Sequence, residues 1–197
     1  SAVLLQTINE ARDRYWQNPD LERWGRLNIR IAQREIVSAA FARLSIDASH
    51  ISDEIADEYS VLREELVEPF PGAIEALKYL LTLGTKLGLV TQGQPEFQRP
   101  KIERFGLAPL FVHILIEGEF GVGKPDKRVF LHSLEQLEVE ARDAWMVGDH
   151  LTNDVQGAQK VGIKGIWVDW RGSGLPETAP VKPDRIIQAI SELTELR

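Results

Sequence analysis

The feature that most constrains the fold is a series of short apolar segments that alternate with helical patterns after residue 69. Nearly every position in these segments is apolar, which is typical of strands buried on both faces of a parallel sheet. The segments lie at residues 86–91, 112–118, 144–149 and 165–169. Amphipathic patterns predict helices at residues 73–83, 100–105, 126–137, 153–161 and 187–196. Alternation of strands and helices with short links predicts an α/β domain with a doubly wound parallel sheet.

The first third of the chain has a different pattern and contains no convincing strand. Apolar residues recur there at three- and four-residue steps, which is typical of helices. The predicted helices cover residues 1–16, 21–44 and 51–67. The pattern changes at a segment that contains two prolines and a glycine, residues 68–72. We therefore predict an all-helical domain at residues 1–68 and an α/β domain at residues 69–197.

Composition argues against several classes of function. The chain has 197 residues, a formal net charge of −7 and no cysteine. The acidic balance argues against a nucleic-acid-binding surface, and the lack of cysteine rules out disulfides and thiolate metal ligands. No apolar run approaches the roughly 20 residues that a membrane-spanning helix requires. We therefore expect a cytoplasmic protein without a nucleic-acid or membrane partner, and its oligomeric state stays open.

Ligands of a doubly wound sheet bind beyond the carboxyl ends of the strands, so the residues that follow each strand are candidate site residues. Thr91 ends the first strand and Gln92 follows it in a glycine-containing turn. A hydroxyl and backbone N–H groups in such a turn can hold a phosphate. Lys124 lies in a Gly- and Pro-rich loop after the second strand, where its ammonium group can neutralise an oxyanion. The alternative for Thr91 is an ordinary β-branched strand residue that enters a polar turn. The alternative for Lys124 is a solvated surface lysine.

Two carboxylates follow the third predicted strand. Asp149 comes directly after the strand and can bind Mg²⁺, which prefers carboxylate oxygens, or can be an ordinary turn residue. Asp154 falls in the first turn of the next predicted helix, where the helix dipole alone stabilises an acidic residue by roughly 0.3–1 kcal/mol. The fourth strand leads into a polar loop in which Asp169 is expected to face the solvent.

Thr91, Lys124 and Asp149 follow successive strands of one predicted parallel sheet, and they therefore share one edge of it. A hydroxyl that binds phosphate, a cation and a metal ligand in one crevice are the groups that phosphoryl transfer requires. Each residue alone has an ordinary structural explanation, but three such coincidences at one edge are much less common than one. The sequence therefore predicts a phosphoryl-transfer site at this edge.

Three segments resemble a known family in order and in context. "LVTQG", "GVGKPD" and "VGDHLTND" are similar to the second, third and fourth motifs of the haloacid dehalogenase-like (HAD) hydrolase superfamily. The resemblance covers residues 69–197 and is to the phosphatase branches. Residues 1–68 resemble the small helical cap of this superfamily in architecture and placement. The acidic fourth motif argues against dehalogenase chemistry, which needs no metal.

The resemblance implies a role for the residues that bind phosphate. Thr91 would bind the transferring phosphoryl group through its hydroxyl, together with the backbone N–H of Gln92. Lys124 would steady both the phosphoryl group and the nucleophile. These roles match the chemistry that the strand ends suggest by themselves.

The resemblance also implies a metal site and a nucleophile. Asp149 would ligate Mg²⁺. Asp154 would support that site without ligating the ion directly, or through water, and Asn153 would contribute less. The family's first motif, an Asp-x-Asp that supplies the nucleophile and the general acid, occurs nowhere in these 197 residues. In the family it lies immediately before the cap and just after the first strand, which is central to the sheet. We therefore expect a preceding segment of on the order of 10–20 residues, and no hydrolysis by this chain alone.

The implied function is a Mg²⁺-dependent hydrolase that acts through an aspartyl-phosphate. Its substrate would be a small phosphorylated metabolite of the nucleotide, sugar phosphate or phosphoglycolate type. A non-catalytic HAD-like binding module and a phosphomutase remain as alternatives. One face of the helix predicted at residues 21–44 carries four arginines that meet an anionic substrate or form a solvated face. These are Arg23, Arg26, Arg30 and Arg34.

Overall fold

The computed structural model describes residues 2–47 and 49–195. The chain forms two compact units, Ser1–Glu68 and Pro69–Arg197. Each unit has hydrophobic clusters of its own. Within the described residues, no helix is both long enough and apolar enough to cross a bilayer.

The described part of the first unit is built from helices. These are α1 (Ala2–Gln17), α2 (Pro19–Leu27), α3 (Ile29–Arg43) and α4 (Ser49–Leu66). α3 packs against both α1 and α4. Its apolar side chains enter two clusters, whose buried members are Val37, Phe41 and Ala56 in one and Tyr15, Ala32 and Ile36 in the other.

The helices predicted at residues 1–16 and 51–67 are confirmed as α1 and α4, although Ser1 lies outside the described residues. The prediction of one helix at residues 21–44 is wrong, because α2 and α3 are separate. They meet at Asn28, whose backbone angles (φ −136°, ψ 46°) are not helical. The break divides the predicted arginine face between the two helices.

Parallel strands form the second unit. In the described residues, β1 (Gly88–Thr91) pairs with β2 (His113–Ile116). β4 (Lys164–Val168) pairs on one side with β3 (Trp145–Gly148) and on the other with β5 (Arg185–Ile187). All three pairings are parallel, which confirms the predicted α/β fold with parallel strands.

Helices connect these strands. α5 (Ala73–Thr82) precedes β1, α6 (Pro95–Arg104) and α7 (Glu117–Phe120) flank β2, and α8 (Lys127–Leu137) precedes β3. After β3, a π-helical segment (Leu151–Gln156) leads into α9 (Gly157–Gln159). The helix predicted at residues 153–161 is therefore confirmed in place, but residues 153–156 are π-helical and only residues 157–159 are α-helical. π-Helical turns often occur at functional sites, and this one follows the strand end that carries Asp149.

Four strands have an edge that no described strand covers, namely β1, β2, β3 and β5. β4 is paired on both edges, and four of its five residues are buried. β1 and β3 each pair with one strand in the described part of the chain, and neither contains a buried residue. Since strands of a parallel sheet are normally buried on both faces, β1 and β3 are more exposed than their apolar composition suits.

The helix predicted at residues 187–196 is wrong at its start and in its type. Ile187 instead ends β5, and a 3₁₀-helical segment follows at Ile190–Glu195, while Leu196 lies outside the described residues. Ile187 is 1% exposed and belongs to the apolar cluster that contains Val168 of β4. A β-branched residue beside a buried strand favours a strand over a helix.

Asp169 is buried, so the prediction that it faces the solvent is wrong. It is 5% exposed, and its carboxylate accepts hydrogen bonds from Ser173 N at 3.0 Å and Gly174 N at 2.7 Å. The carboxylate closes the turn after β4 by satisfying backbone N–H groups that would otherwise lack partners.

Candidate active site

The carboxyl end of β1 carries the first candidate residues. Thr91 is the last residue of β1, and its hydroxyl donates a hydrogen bond to Gln98 Oε1 on α6 at 3.1 Å. Gln92 follows, and its side-chain Nε2 donates to the backbone oxygen of Lys124 at 3.0 Å. Gln92 therefore ties the loop after β1 to the loop that carries Lys124.

Gly93 shapes the loop after β1. Its φ of +103° lies in a region that favours glycine. Its N–H donates to Glu117 Oε2 at 2.9 Å, and its carbonyl oxygen accepts from Gly118 N at 3.0 Å. Glu117 follows β2 directly and is 3% exposed. The loop after β1 is thus held against the turn after β2 by two hydrogen bonds.

Lys124 is buried, with 8% of its surface exposed, so it is not a solvated surface lysine. Its Nζ donates to the carbonyl oxygen of Val90 on β1 at 3.1 Å and lies 2.6 Å from Asp154 Oδ1, beyond β3. Asp154 Oδ1 is buried and accepts no hydrogen bond of regular geometry from the residues that the structure describes, so the ion pair with Lys124 is what offsets the burial of this oxygen. The ammonium group therefore links the ends of the two sheets.

Asp154 is fixed by the backbone around it. The N–H of His150 donates to Asp154 Oδ2 at 2.9 Å, and His150 Nδ1 accepts from Asn153 N at 3.1 Å. Because Nδ1 accepts, a neutral His150 carries its proton on Nε2. Gly148 makes room for this arrangement, since a Cβ there would overlap the Asp154 carboxylate. Asp154 is therefore a buried carboxylate held by a backbone N–H and a lysine.

Asp149 differs from Asp154 in being exposed. It directly follows β3, and its carbonyl oxygen accepts a hydrogen bond from Trp167 Nε1 at 2.9 Å. Its carboxylate has no hydrogen bond or ion pair with the described residues. A free carboxylate at a strand end can take a hard cation, because Mg²⁺ needs only one or two carboxylates beside water and phosphate oxygens.

The described residues supply only part of a metal site. They contain no group of three or more His, Cys, Asp or Glu side chains that could hold a metal ion. Asp149 offers one free carboxylate, whereas His150 N and Lys124 engage the two oxygens of Asp154. Mg²⁺ fits this edge if water, a phosphate or a further carboxylate provides the remaining oxygens.

The structure brings several predicted residues into contact. Lys124 meets Asp154 through its side chain and Gln92 through its carbonyl oxygen. Thr91 adjoins the strand residue whose carbonyl accepts from Lys124, but its own hydroxyl is bonded to α6. Asp149 adjoins this network only through the backbone, because the next residue donates its N–H to Asp154.

Sequence reasoning missed two residues of this network, Glu117 and His150. Glu117 had the same signal as Asp149, since each is a carboxylate that directly follows an apolar strand. His150 had no comparable signal, because its Nδ1 accepts a hydrogen bond from the backbone N–H of Asn153, which only the folded turn brings near. The structure adds both residues to the candidate site.

Comparison with known proteins decides the family. The family model for haloacid dehalogenase-like hydrolases matches residues 2–168. The chain belongs to this family. The resemblance seen in the sequence motifs is thereby confirmed, and every candidate site residue of this HAD protein lies within the matched range.

Two curated relatives of this HAD protein are named as phosphatases. Phosphoserine phosphatase from Thermus thermophilus is 40% identical over 124 residues, which are 63% of this chain and 49% of that protein. Glyceraldehyde 3-phosphate phosphatase from Pyrococcus abyssi is 39% identical over 110 residues, which are 56% of this chain and 44% of that protein. The chain thus matches about half the length of these relatives.

A solved structure shares the fold. The HAD-hydrolase YfnB from Bacillus subtilis, crystallised with magnesium bound, aligns with 98% of this chain and 81% of its own at a TM-score of 0.78. The two sequences are 22% identical, so this likeness concerns the fold alone.

Proposed function

We propose that the protein is a Mg²⁺-dependent phosphatase that hydrolyses a small phosphorylated metabolite. The observation that carries the proposal is the buried Lys124, whose charge lies between the ends of β1 and β3. A fixed cation at the carboxyl edge of a parallel sheet suits a site where negative charge moves on a transferring phosphoryl group. The names of the two relatives are consistent with this choice.

The residues at this edge have separate proposed tasks. The Thr91 hydroxyl would exchange Gln98 for a phosphoryl oxygen, and the Gln92 N–H would bind a second one. The Lys124 ammonium group would neutralise the phosphoryl oxygens and the attacking carboxylate. Because Lys124 is already held by the carbonyl of Val90 and by Asp154, little reorganisation would be needed during the reaction.

Asp149 is the proposed Mg²⁺ ligand, because its carboxylate is exposed and makes no hydrogen bond or ion pair with the described residues. Bound there, the ion would supply positive charge that polarises and orients a phosphoryl oxygen. Asp154 and Asn153 would support the site without ligating the ion directly, or through water. The hydrogen bond from His150 N to Asp154 would fix the backbone next to Asp149, since His150 directly follows Asp149 in the chain.

The proposed nucleophile is an Asp in a segment that precedes residue 1. The 197 residues contain no Asp-x-Asp, and among the described residues β1 and β3 each have an edge that one more parallel strand would pair. In-line attack by that carboxylate on the phosphorus would break the P–O ester bond, and the metabolite would leave as an alcohol that takes a proton from the general acid of the same motif. Water would then attack the phosphorus of the aspartyl-phosphate, which would release inorganic phosphate and regenerate the Asp carboxylate. The 197-residue chain alone is expected to bind phosphate weakly and to hydrolyse nothing.

The two units have different proposed roles. Residues 69–197 would form the catalytic domain. Residues 1–68 would form a helical cap that excludes water and selects small substrates. We expect a cytoplasmic enzyme without a nucleic-acid or membrane partner.

The test is phosphate release by the full-length protein from an aryl phosphate, with Mg²⁺ and with EDTA. We expect turnover that requires Mg²⁺ and that is largely lost in Asp149→Ala. A panel of phosphoserine, glyceraldehyde 3-phosphate, nucleotides, sugar phosphates and phosphoglycolate then identifies the substrate class. Activity that survives Asp149→Ala would contradict the metal assignment. Phosphate binding without turnover would favour a binding module, and isomerisation without net phosphate release would favour a phosphomutase.

A further inference from the structure

We propose that Glu117 is a positioning residue that fixes the phosphate-binding groups on both sides of the site. This inference rests on the proposed function, because it concerns the same phosphate-binding loop. That loop, residues 92–94, is called the β1 loop below. Glu117 is the buried carboxylate at the end of β2, and none of the proposed catalytic tasks uses it.

The first contact of Glu117 is with the β1 loop. Its Oε2 accepts from Gly93 N at 2.9 Å, and the N–H of the next residue, Gly118, donates to Gly93 O at 3.0 Å. Gly93 is thereby held at both polar backbone groups in a conformation with φ of +103°. A hydrogen bond to an ionised carboxylate is shorter and stronger than a neutral one. The carboxylate therefore sets the position of the peptide next to Thr91 and Gln92.

The second contact of Glu117 is with the loop that carries Lys124. A Cβ on Gly123 would overlap the Glu117 carboxylate, so the backbone directly before Lys124 packs against it. The side chain of Gln92 crosses from the β1 loop to the carbonyl oxygen of Lys124 at 3.0 Å. Glu117 and Gln92 thus join the same two loops at two points.

The position of the Glu117 carboxylate beside a proposed phosphate site is electrostatically unfavourable. A buried carboxylate next to a proposed phosphate site repels the phosphate, and burial of a charge is itself unfavourable. A carboxylate there must therefore contribute something other than charge attraction. Its contacts indicate that contribution, which is to hold the Gly93 N–H and the loop that carries Lys124 in fixed positions relative to each other. Misplacement of reacting groups by about 1 Å can lower a rate on the order of 100-fold.

A matched pair of variants isolates the hydrogen bond from the charge. Glu117→Met fills a similar volume but gives Gly93 N no good acceptor, whereas Glu117→Gln keeps an acceptor oxygen. Both variants remove the charge, so they differ chiefly in the acceptor. Glu119→Ala is the control, because Glu119 lies in the same turn but pairs with Arg99 on α6 at 2.6 and 2.7 Å. Glu117→Ala replaces Glu117→Met if the latter does not fold.

The experiment measures kcat, KM and inhibition by inorganic phosphate for the full-length protein and each variant. In ¹⁵N-labelled protein it also follows the shift and hydrogen exchange of the Gly93 amide. We expect Glu117→Met to lower kcat/KM by about tenfold or more, to weaken phosphate inhibition and to speed Gly93 exchange. Glu117→Gln should keep most of the wild-type kcat/KM, phosphate inhibition and Gly93 amide protection. Glu119→Ala should leave the shift and exchange of the Gly93 amide unchanged.

Two results would overturn the inference in distinguishable ways. If the wild type is active but Glu117→Met keeps its kcat/KM and its Gly93 amide signal, Glu117 does not position the loop. An equal loss in Glu117→Met and Glu117→Gln would assign the effect to charge and also contradict the inference. If the wild type hydrolyses none of the phosphate esters, the proposed function itself fails, whatever the Gly93 amide reports.

Discussion

The ion pair between Lys124 and Asp154 gives the sharpest stability prediction. The two side chains are 10% and 4% exposed, and Nζ lies 2.6 Å from Oδ1. Removal of one partner of a buried pair leaves an uncompensated charge and costs about 3–5 kcal/mol. Lys124→Met also removes the hydrogen bond to Val90 O, which is worth about 1 kcal/mol. We therefore expect Lys124→Met to lower the free energy of unfolding by about 4–6 kcal/mol.

A double-mutant cycle separates the pair from its surroundings. Asp154→Asn should cost about 3–5 kcal/mol, because it leaves the buried Lys124 without a counter-charge. The double variant should lose less than the sum of the two single variants, by a coupling of about 1–3 kcal/mol. The measurement is urea unfolding followed by tryptophan fluorescence, for which the chain has five tryptophans.

The control is Arg99→Met, which breaks an ion pair whose side chains are 52% and 35% exposed. This variant should unfold as the wild type does within error, because solvent screens exposed pairs. The reasoning is refuted if Lys124→Met and Asp154→Asn each cost less than about 1 kcal/mol, as exposed pairs do. Strictly additive costs would also refute it, since the two charges would then not interact.

Three further outcomes are expected. Asp149→Ala should lose Mg²⁺-stimulated phosphatase activity with little change in Tm, because the Asp149 carboxylate makes no hydrogen bond or ion pair with the described residues. Measurements of activity against Mg²⁺ concentration and thermal melts check this. Burial, and after it the charge of His132, lowers the pKa of His113 below its ordinary value of 6.5, so the unfolded state binds more protons. The free energy of unfolding should therefore fall as the pH drops below about 6.5, and urea unfolding of His113→Leu should show a flatter profile. Burial, and after it the charge of Glu35, raises the pKa of Tyr15 to about 12 from 10.0, so stability should fall as the pH rises through this window. Ultraviolet titration should show a late-titrating phenol that Tyr15→Phe removes.

Strand ends could be predicted from the sequence because their signals are local. Thr91 ends β1 and Asp149 directly follows β3, as the change from apolar to polar residues indicates. The partners of Lys124 could not be predicted in the same way. Val90 and Asp154 are distant from Lys124 along the chain, and only tertiary packing brings them to its Nζ. The pattern therefore located the carboxyl ends of the strands but not the ion pair that links them.

The errors have identifiable causes. Asp169 begins the segment "DWRGSG", and Asp before a glycine-rich turn is typical of a side chain that accepts from backbone N–H groups. This local signal favours a buried carboxylate over one that faces the solvent. Ile187 belongs to a short apolar run, which fits a strand and a buried helix equally well by periodicity. Asn28 lies inside a continuous helical pattern, so the break between α2 and α3 had only a weak signal.

The proposed mechanism assigns the nucleophile to a carboxylate that precedes residue 1 and assigns charge neutralisation to Lys124. Mass spectrometry tests this most directly, with full-length protein quenched in acid during turnover of an aryl phosphate and then reduced with borohydride. We expect the modified residue to be an Asp before residue 1, and we expect the modification to be lost in Lys124→Met. A modification on any of residues 1–197, or an undiminished signal in Lys124→Met, would contradict the account.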